Sequence, residues 1–290
     1  MCSEHAGIAP SVTASPAKCG IAIVANDKIL PWLLAFLESW LATNAATPLY
    51  IIPYDENCTA TRKAASVYGA TLVEDELAEI DALSRRLYPL SPGRRRRLRK
   101  LQSLALPLDQ VIYLDADIIL FRDFAPLFGK LVPGQCEFVI ASTSPDYVYN
   151  EAGQDHALLK SATLFNDGFF STSSNLLKVG DFIRIIDENE KLFHAVRKRG
   201  GLFAQPLVNF VVHSMGLKVT SLAATLPNAS DESFYKPVSA HFAEDGLPVD
   251  DAGREIYFSH WAGATLLPRN GIFDKAWRGH YDNAVKRMAQ

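Results

Sequence analysis

The chain has 290 residues, of which 48% are hydrophobic and 21% are charged, so it can bury a sizeable core and has an ordinary globular composition. Its formal net charge of −3 argues against a general nucleic-acid binder, which would be strongly basic. The four cysteines are far apart and form no CxxC pair, which argues against a zinc site or a disulfide framework and favours a reducing cytoplasm.

The first residues, 1–17, are mostly small or polar. They lack the basic start and apolar centre of a signal peptide, so we expect a disordered N-terminal lead-in followed by one domain over residues 18–290. The best candidate for a membrane span, residues 29–42, is short and is interrupted by Glu38. No transmembrane segment is therefore expected.

Strands and helices alternate through the first part of the chain. Strands are predicted at residues 19–27, 48–58 and 70–75, each of which begins with an apolar run. Helices are predicted between them, at residues 30–43, where apolar residues recur at helical spacing, and at residues 59–68. The strands are nearly continuous apolar runs, which is typical of strands buried on both faces. This order predicts an α/β fold with a Rossmann-like, mostly parallel central sheet and helices on both faces.

Further along the chain, residues 91–107 carry a basic run and open with Ser91 and Pro92, which are typical helix-start signals. A helix is therefore predicted there. Apolar segments follow at residues 110–120, 137–142, 162–173 and 256–263, and the last of them is predicted to be a late strand. Further helices are predicted at residues 178–199, from residue 205 onwards, and at residues 272–289.

Several common catalytic motifs are absent from the sequence. It contains no GxGxxG, no GxxxxGK[ST], no HExxH and no GxSxG. The usual routes to a dinucleotide-dependent dehydrogenase, a P-loop NTPase, a zinc protease or a serine hydrolase are therefore unsupported.

Two aspartates, Asp115 and Asp117, stand inside the apolar run YLDADIIL. Side chains alternate along a strand, so if residues 111–117 are extended, both carboxylates point to one face while the small Ala116 points away. Like charges on one face repel unless one is protonated or a cation lies between them, and a hard divalent cation resolves the conflict. The competing interpretation is a strand-end pair that faces water. The apolar flanks favour the metal, because they indicate a central strand.

Six segments carry a more specific signal, because they occur together and in a fixed order: IAIVAND, KLQSLALPLDQVIYLDADIILFRDFAPLF, ASTSPD, LFNDGFFSTS, AQPLVN and SHWAG. Together they span most of residues 20–280. In this order they resemble the family-eight glycosyltransferases, the glycogenin and galactinol-synthase type, whose metal motif is Asp-x-Asp.

The resemblance implies a GT-A fold and the transfer of a hexose from a nucleotide sugar, usually a UDP-sugar, to an unknown acceptor with retention at the anomeric carbon. It also implies a bound Mn²⁺, with Mg²⁺ as the alternative, held by Asp115, Asp117 and His260. Imidazole and carboxylate ligands together suit Mn²⁺. Taken alone, His260 would be interpreted as a core histidine, since it shares a strand face with Ile256 and Phe258.

The resemblance also assigns residues to the donor. Gln205 matches a glutamine close to the reacting carbon and is the predicted catalytic residue. The predicted donor-binding residues are Ala25, Asn26, Lys100, Asp115, Ala116, Asp146, Asn166, Gly168, Gly263 and Arg269. Simpler interpretations exist for two of them, since Asn26 is also plain turn chemistry and Gly168 is also typical of a strand bulge.

The basic run from Arg94 to Lys100 holds six cations. A helix cannot direct all of them to one side, so we expect Lys100, with Arg97 or Arg99, to face the diphosphate and the others to face water. The surplus arginines would suit an acidic acceptor or peripheral contact with a membrane surface.

The sequence departs from the family at three places. Ala204 stands where the family has an aspartate, which removes a carboxylate from the sugar site. Leu266 stands where a lysine grips the diphosphate, and Arg269 is the nearby cation that would substitute, because its fork suits phosphate oxygens. Residues 147–163 form a polar insertion, which we interpret as a loop over the acceptor site that could serve as a lid.

Two other function classes stay open at this stage. A sugar nucleotidyltransferase would also use paired carboxylates and a metal, but it usually carries a glycine-rich basic loop after its first strand, where this chain has ANDKILPW. A non-catalytic binding protein of the same fold is favoured by Ala204 and Leu266 and opposed by the Asp-x-Asp motif and His260.

Overall fold

The computed structural model describes residues 17–75, 77–90, 92–198, 204–264 and 266–290. The predicted lead-in of residues 1–17 lies outside these ranges except for its last residue. In this part of the chain, no helix is both long and apolar enough to cross a bilayer.

The strands and helices have the following bounds in the described chain. The strands are β1 Cys19–Ala25, β2 Leu49–Pro53, β3 Thr71–Leu72, β4 Gln110–Asp115, β5 Ile118–Leu120, β6 Phe138–Ile140, β7 Phe169–Ser173, β8 Val219–Ser221, β9 His241–Phe242, β10 Pro248–Val249 and β11 Phe258–His260. The α-helices are α1 Leu30–Thr43, α2 Thr59–Tyr68, α3 Ala78–Leu87, α4 Pro145–Val148, α5 Glu151–Asp155, α6 Val179–Val196, α7 Ala204–Ser214, α8 Leu222–Thr225 and α9 Asp274–Met288. The 3₁₀ helices are Asp27–Ile29, Pro92–Ala105 and Ala125–Leu127.

Seven strands form the central sheet, in the order β3-β2-β1-β4-β7-β6-β8. The pairs from β3 to β4 are all parallel, β7 runs antiparallel to both of its neighbours, and β8 is parallel to β6. Two small antiparallel pairs, β5 with β11 and β9 with β10, lie outside this sheet. The predicted α/β fold with a mostly parallel central sheet is therefore confirmed.

The central strand β4 shows why its sequence is almost continuously apolar. Val111 and Tyr113 belong to one buried cluster, and the alternate residues Ile112 and Leu114 belong to another. Residues of α6 and α7 complete the first cluster, and residues of α1 complete the second. Both faces of the sheet are thus covered by helices, as its apolar strands require.

Two of the predicted helices show how local sequence sets their bounds. In α1, Leu33, Phe36, Leu37 and Trp40 recur at helical spacing and are buried, which stabilises the fold by about 1.5–3 kcal/mol for each fully buried large side chain. Helix α2 ends at Gly69, whose φ of 68° lies in the left-handed region that glycine adopts without strain. Both helices were predicted from the sequence.

The basic segment is helical, but it differs from the prediction in kind, because Pro92–Ala105 is a 3₁₀ helix. A 3₁₀ helix brings every third side chain to the same side. Leu98, Leu101 and Leu104 fit that repeat and are all buried, and Arg97 and Lys100 form the adjacent row. The three-residue repeat therefore seats the leucines in the core and directs two cations to one side.

The assumption of an extended chain over residues 111–117 is wrong. Strand β4 ends at Asp115, a turn occupies Ala116 and Asp117, and β5 then leaves the central sheet to pair with β11. The alternation of side chains along β4 explains the direction of the Asp115 side chain, which shares a face with Tyr113. Asp115 accepts a 2.7 Å hydrogen bond from the Tyr113 hydroxyl. The position of Asp117 is set by the turn instead.

Several short elements were not predicted. Helix α3 was missed although Ile80, Leu83 and Leu87 recur at helical spacing and are buried. The insertion of residues 147–163 was predicted as a loop, but it contributes to α4, contains α5 and is anchored by Tyr149, which is 1% exposed. Most predicted strands extend a few residues beyond the observed ones, because polar strand ends turn away from the sheet.

Candidate functional site

A cleft of about 600 Å³ opens beside the carboxyl ends of β1 and β4, where ligands bind in open α/β sheets. Of the predicted site residues, those that line it are Lys100, Asp115, Ala116, Asp117, Asn166, Gln205, His260 and Gly263. Further described residues in the lining are Val24, Ile29, Trp32, Tyr54, Arg97, Tyr113, Asp167, Ala204, Ala262 and Ala264. The fold thus brings together most of the predicted set from distant parts of the chain.

Three side chains, Asp115, Asp117 and His260, form a group that we call the triad. Nε2 of His260 lies 3.1 Å from Oδ1 of Asp117 and 3.7 Å from Oδ2 of Asp115. One possible ligand atom from each residue lies within 4.8 Å of the other two. The imidazole is buried, whereas the aspartate side chains are 32% and 31% exposed, so the group is open toward the cleft.

The triad is assembled by a strand pair and a turn. Strand β4 delivers Asp115 at its end, and the following turn carries Asp117. The antiparallel pairing of β5 with β11 sets His260 opposite Ile118. The backbone N–H of Trp261 donates to the carbonyl of Asp117 over 3.0 Å, which locks the turn against β11. The two carboxylates and the imidazole are therefore held by backbone pairing.

The ring of His260 is oriented by packing. A Cβ added at Gly168 would overlap the imidazole, so only glycine leaves room for the ring at that position. Phe234 stacks on the imidazole with ring centroids 6.0 Å apart. In the described chain, Nδ1 of His260 has no hydrogen-bond partner, so these two contacts take the orienting role that a hydrogen-bonding group usually has.

Lys100 links the triad to a second buried acid. Its Nζ lies 3.3 Å from Oδ1 of Asp115 and 2.9 Å from Oδ2 of Asp167. Burial alone would lower the pKa of Lys100, but the two carboxylates raise it above its ordinary value. Burial would likewise raise the pKa of Asp115, but Lys100 and His260 hold it below the usual range. Asp115 and Lys100 are therefore both charged at neutral pH.

Two further titratable groups, Asp167 and His260, have pKa values above their ordinary ones. Burial raises the pKa of Asp167, and Lys100 offsets this only in part. Burial would lower the pKa of His260, but the adjacent Asp117 raises it above the ordinary value. When Asp115, Asp117 and Asp167 are all ionised and His260 is neutral, Lys100 can balance only one of these three charges, so two lack a fixed partner in the described chain. Two carboxylates and one imidazole at this spacing are a donor set that fits a divalent cation such as Mn²⁺.

Another part of the cleft lining, which we call the amide end, is built from amides. Nδ2 of Asn166 donates to Oε1 of Gln205 over 3.1 Å, and Nε2 of Gln205 donates to the Ser144 hydroxyl over 3.3 Å. Oδ1 of Asn166 accepts the backbone N–H of Gly168 at 2.9 Å. Ala204 also lines this end and contributes only a methyl group. Here the polar groups are neutral and hydrogen-bonded to one another.

Ala25 and Asn26, which the resemblance assigns to the nucleoside, directly follow Val24 of the cleft lining. Ala25 and Asn26 are buried and lie outside the described lining of the cleft. Nδ2 of Asn26 donates to Oδ2 of Asp55 over 2.9 Å, which fastens the loop after β1 to the loop after β2. The cleft wall here is formed instead by neighbouring side chains, including those of Trp32 and Tyr54.

Two more predicted donor residues stand away from the cleft. Asp146 is exposed at the start of α4, and its backbone carbonyl accepts a hydrogen bond from Lys198. Arg269 is exposed and lies outside the described lining. Gly263 does line the cleft, with a φ of 72° that suits glycine.

Asp167 and Tyr113 are the main site residues that sequence reasoning missed. Asp167 lies within the segment LFNDGFF, where a carboxylate surrounded by aromatic side chains raises the same question of compensation as Asp115 does. That signal could have identified Asp167 from the sequence alone. Tyr113 gave no comparable signal, because a tyrosine in an apolar strand is ordinary.

Comparisons with known proteins bear on the fold. Comparison with protein-family models gives no match, and comparison with curated proteins gives none. Among solved structures, the galactosyltransferase LgtC in complex with donor and acceptor sugar analogues matches with a TM-score of 0.58 and 16% identity, over 93% of this chain and 95% of that chain. The chain has the GT-A fold.

Two further GT-A structures are similar to this chain. The bifunctional glycosyltransferase WbbM gives a TM-score of 0.61 at 13% identity, over 98% of this chain and 53% of that chain. The glycosyltransferase GlyE of Streptococcus pneumoniae gives 0.53 at 13% identity, over 95% of this chain and 63% of that chain. This chain therefore spans about half of WbbM and nearly all of LgtC. At these identities the likeness establishes the GT-A fold.

Proposed function

We propose that this GT-A chain is a metal-dependent glycosyltransferase of the family-eight type. It would transfer a hexose from a nucleotide sugar, most simply a UDP-sugar, to an acceptor, with retention at the anomeric carbon. The similarity to LgtC, WbbM and GlyE, all named as glycosyltransferases, supports the reaction class. The ordered sequence segments support the family.

One observation carries the proposal: the triad and Lys100 lie in a single cleft at the carboxyl end of the parallel strands. Neither feature alone is decisive, since exposed acidic groups are common and buried lysines often serve ion pairs. Together they place two acids, an imidazole and a cation where this fold class binds ligands. That combination suits a nucleoside diphosphate that enters with a divalent metal.

Asp115, Asp117 and His260 would hold the cation, and Mn²⁺ is the first candidate. When bound, a divalent cation would stabilise the negative charge that develops on the leaving diphosphate. The protein's own contribution is a fixed set of ligands, since backbone pairing holds all three residues before any ligand arrives.

Lys100 and Arg97 would bind the diphosphate from the protein side. Both line the cleft in the row set by the 3₁₀ repeat, and Lys100 already lies 3.3 Å from Asp115. The donor sugar would then extend toward the amide end, where Gln205 is the candidate for contact near the reacting carbon. In a retaining transfer the leaving phosphate can accept the proton of the acceptor, so no separate general base is required.

The departures from the family define what is unusual about the proposed enzyme. Ala204 offers no carboxylate to the sugar, and Leu266 is 68% exposed to solvent where a lysine was expected. Arg269 remains a candidate to replace that lysine if its segment folds over the bound donor. The acceptor is unidentified, and the cytoplasm stays the predicted compartment, in keeping with free Cys19, Cys58 and Cys136.

The proposal is tested by incubating the protein with a panel of nucleotide sugars, with and without Mn²⁺, and measuring the nucleoside diphosphate that is released. Metal-dependent release from one donor is the expected result. Formation of pyrophosphate would instead support a sugar nucleotidyltransferase. Binding without turnover, over many acceptors, would support a non-catalytic binding protein.

A single variant tests the site itself. Asp117→Ala should abolish metal-dependent donor binding in calorimetry, because it removes one of the proposed ligands. Asp251→Ala is a matched control, since Asp251 is exposed and lies outside the described lining of the cleft. An unchanged donor affinity in Asp117→Ala would show that the triad is not the metal site.

A further inference from the structure

Asp167 is a buried acid in the cleft to which the proposed function assigns no role. The residue is 7% exposed, and it lines the cleft beside the triad and Lys100. Its Oδ2 pairs with Nζ of Lys100 at 2.9 Å. A carboxylate can accept about four hydrogen bonds, so most of its capacity is unfilled.

The chain neighbours of Asp167 contact both the triad and the amide end of the cleft. On one side, Gly168 packs directly against the His260 ring. On the other side, Asn166 is hydrogen-bonded to Gln205. A hexose that reaches from a diphosphate at the triad to the amide of Gln205 would therefore pass over Asp167.

The charge of Asp167 indicates which part of a donor it meets. A carboxylate repels phosphate oxygens, so the diphosphate would be held by the bound cation and Lys100 and not by Asp167 itself. A sugar hydroxyl is neutral and can donate to a carboxylate, and such charge-assisted hydrogen bonds are stronger than neutral ones. At the amide end, Ala204 supplies no acceptor, and the Asn166 and Gln205 amides already bond to each other.

We propose that Asp167 is a specificity-determining residue that accepts a hydrogen bond from a hydroxyl group of the donor hexose. This deepens the proposed function and rests on it. Lys100 positions the carboxylate through their ion pair. The substrate class that follows is a nucleotide hexose with a free hydroxyl group directed at Asp167, and the deoxy sugar at that carbon would be discriminated against.

The test compares Asp167→Asn and Asp167→Ala with the unaltered protein. Dissociation constants for UDP, UDP-glucose and UDP-galactose are measured by calorimetry in the presence of Mn²⁺. The contribution of the hexose is the ratio of the dissociation constants for UDP and the UDP-hexose. This ratio should fall about tenfold in the variants, which is the scale of one hydrogen bond to a charged group. The dissociation constant for UDP itself should stay within about twofold of the value for the unaltered protein. Asp251→Asn, the same change at an exposed acid, should alter neither quantity.

A set of deoxy analogues of the preferred donor makes the test specific. For one hydroxyl position, its removal should weaken binding to the unaltered protein but not to Asp167→Ala, because the two changes delete the same contact. Equal losses of affinity for UDP and for the UDP-hexose would overturn the inference. Such a result would show that Asp167 acts on the diphosphate through Lys100. An unchanged hexose contribution would overturn it as well.

The outcomes separate this inference from the function on which it rests. If the unaltered protein binds no nucleotide sugar with Mn²⁺, the proposed function fails and this inference fails with it. If it binds one and the Asp167 variants retain the full hexose contribution, only the role of Asp167 is lost. Melting temperatures of the variants without ligand show whether folding is preserved.

Discussion

The two ends of the cleft solve the problem of buried polarity in different ways. At the triad end, the carboxylates of Asp115, Asp117 and Asp167 lie around Lys100 and His260, so that acidic groups outnumber the one lysine of this cluster. At the amide end, Asn166 and Gln205 are neutral and hydrogen-bonded to each other. One end is incomplete without a ligand, whereas the other is nearly complete by itself.

This difference separates binding from orientation. An uncompensated charged group gives a large electrostatic gain when a cation arrives, so the triad end should dominate affinity for the metal and the diphosphate. A neutral amide pair gives little net affinity, because a ligand that bonds to these amides replaces hydrogen bonds that they already make to each other. The amide end should therefore affect turnover and sugar choice more than binding.

The largest expected effect comes from Asp117→Asn. The variant should lose the rise in melting temperature that Mn²⁺ produces, since a ligand stabilises only the state that binds it. Without metal, at a pH above the raised pKa of His260, it should be at least as stable as the unaltered protein, because it relieves carboxylate repulsion. Turnover should fall about a thousand-fold, the scale of the several kcal/mol that a catalytic metal supplies. A metal-free protein that is clearly less stable would show that Asp117 is structural.

The next effect tests the amide end. Gln205→Ala should lower kcat about a hundred-fold by loosening the position of the sugar, while the dissociation constants for Mn²⁺ and UDP stay within about twofold. The control is Gln135→Ala, which makes the same change at an exposed site. An equal loss of UDP affinity and turnover would mean that the two ends do not divide their roles.

A smaller effect is expected from Gly168→Ala. The added Cβ would overlap the His260 ring and displace it, so the affinity for Mn²⁺ should fall about tenfold, as is typical when support for a metal ligand is lost. Gly180→Ala is the matched control, because a Cβ there meets nothing within 4 Å. Unchanged metal affinity would exclude His260 as a ligand.

The last effect needs no substitution and is a dependence on pH that is confined to the triad end. Asp117 raises the pKa of His260 above its ordinary value, so the metal-free protein is stabilised by the bound proton below about pH 6.5 and loses that contribution as pH rises through the raised pKa. Affinity for Mn²⁺ should change in the opposite sense and increase over the same window, because the ion competes with the proton.

Calorimetric titration with Mn²⁺ at several pH values between about 6.5 and 8.5 checks this, alongside thermal melts without metal. The expected slope is at most tenfold in affinity per pH unit, which corresponds to one released proton. Affinity that is independent of pH across this window would contradict a role for His260 as a ligand.

Residue types predicted the fold better than they predicted the turns. Continuous apolar strands and helical spacing were enough to predict the parallel sheet, because both signals are local and repeat several times. Helix α3 was missed, since its apolar residues are few and lie between charged ones. The turn at Ala116 and Asp117 was not predicted, because pairing of β5 with β11 joins residues more than a hundred positions apart.

The same limit applies to the site. Asp115, Asp117 and His260 could be predicted because the ordered segments gave them a context. Asn26 was expected to face a nucleoside, but its amide bonds to Asp55, a partner that only the folded chain brings near. Asp167 was overlooked since its role depends on Lys100, which lies 67 positions away in the sequence.

The 3₁₀ segment Pro92–Ala105 sets a rule for insertions and deletions. Its side chains repeat every third position, so Leu98, Leu101 and Leu104 enter the core while Arg97 and Lys100 reach the cleft. A change in length of one or two residues here would rotate the leucines out of the core or the cations out of the cleft. A change of three would keep both rows in phase, so we expect the segment to accept exchanges of residue type at outer positions more readily than shifts of frame.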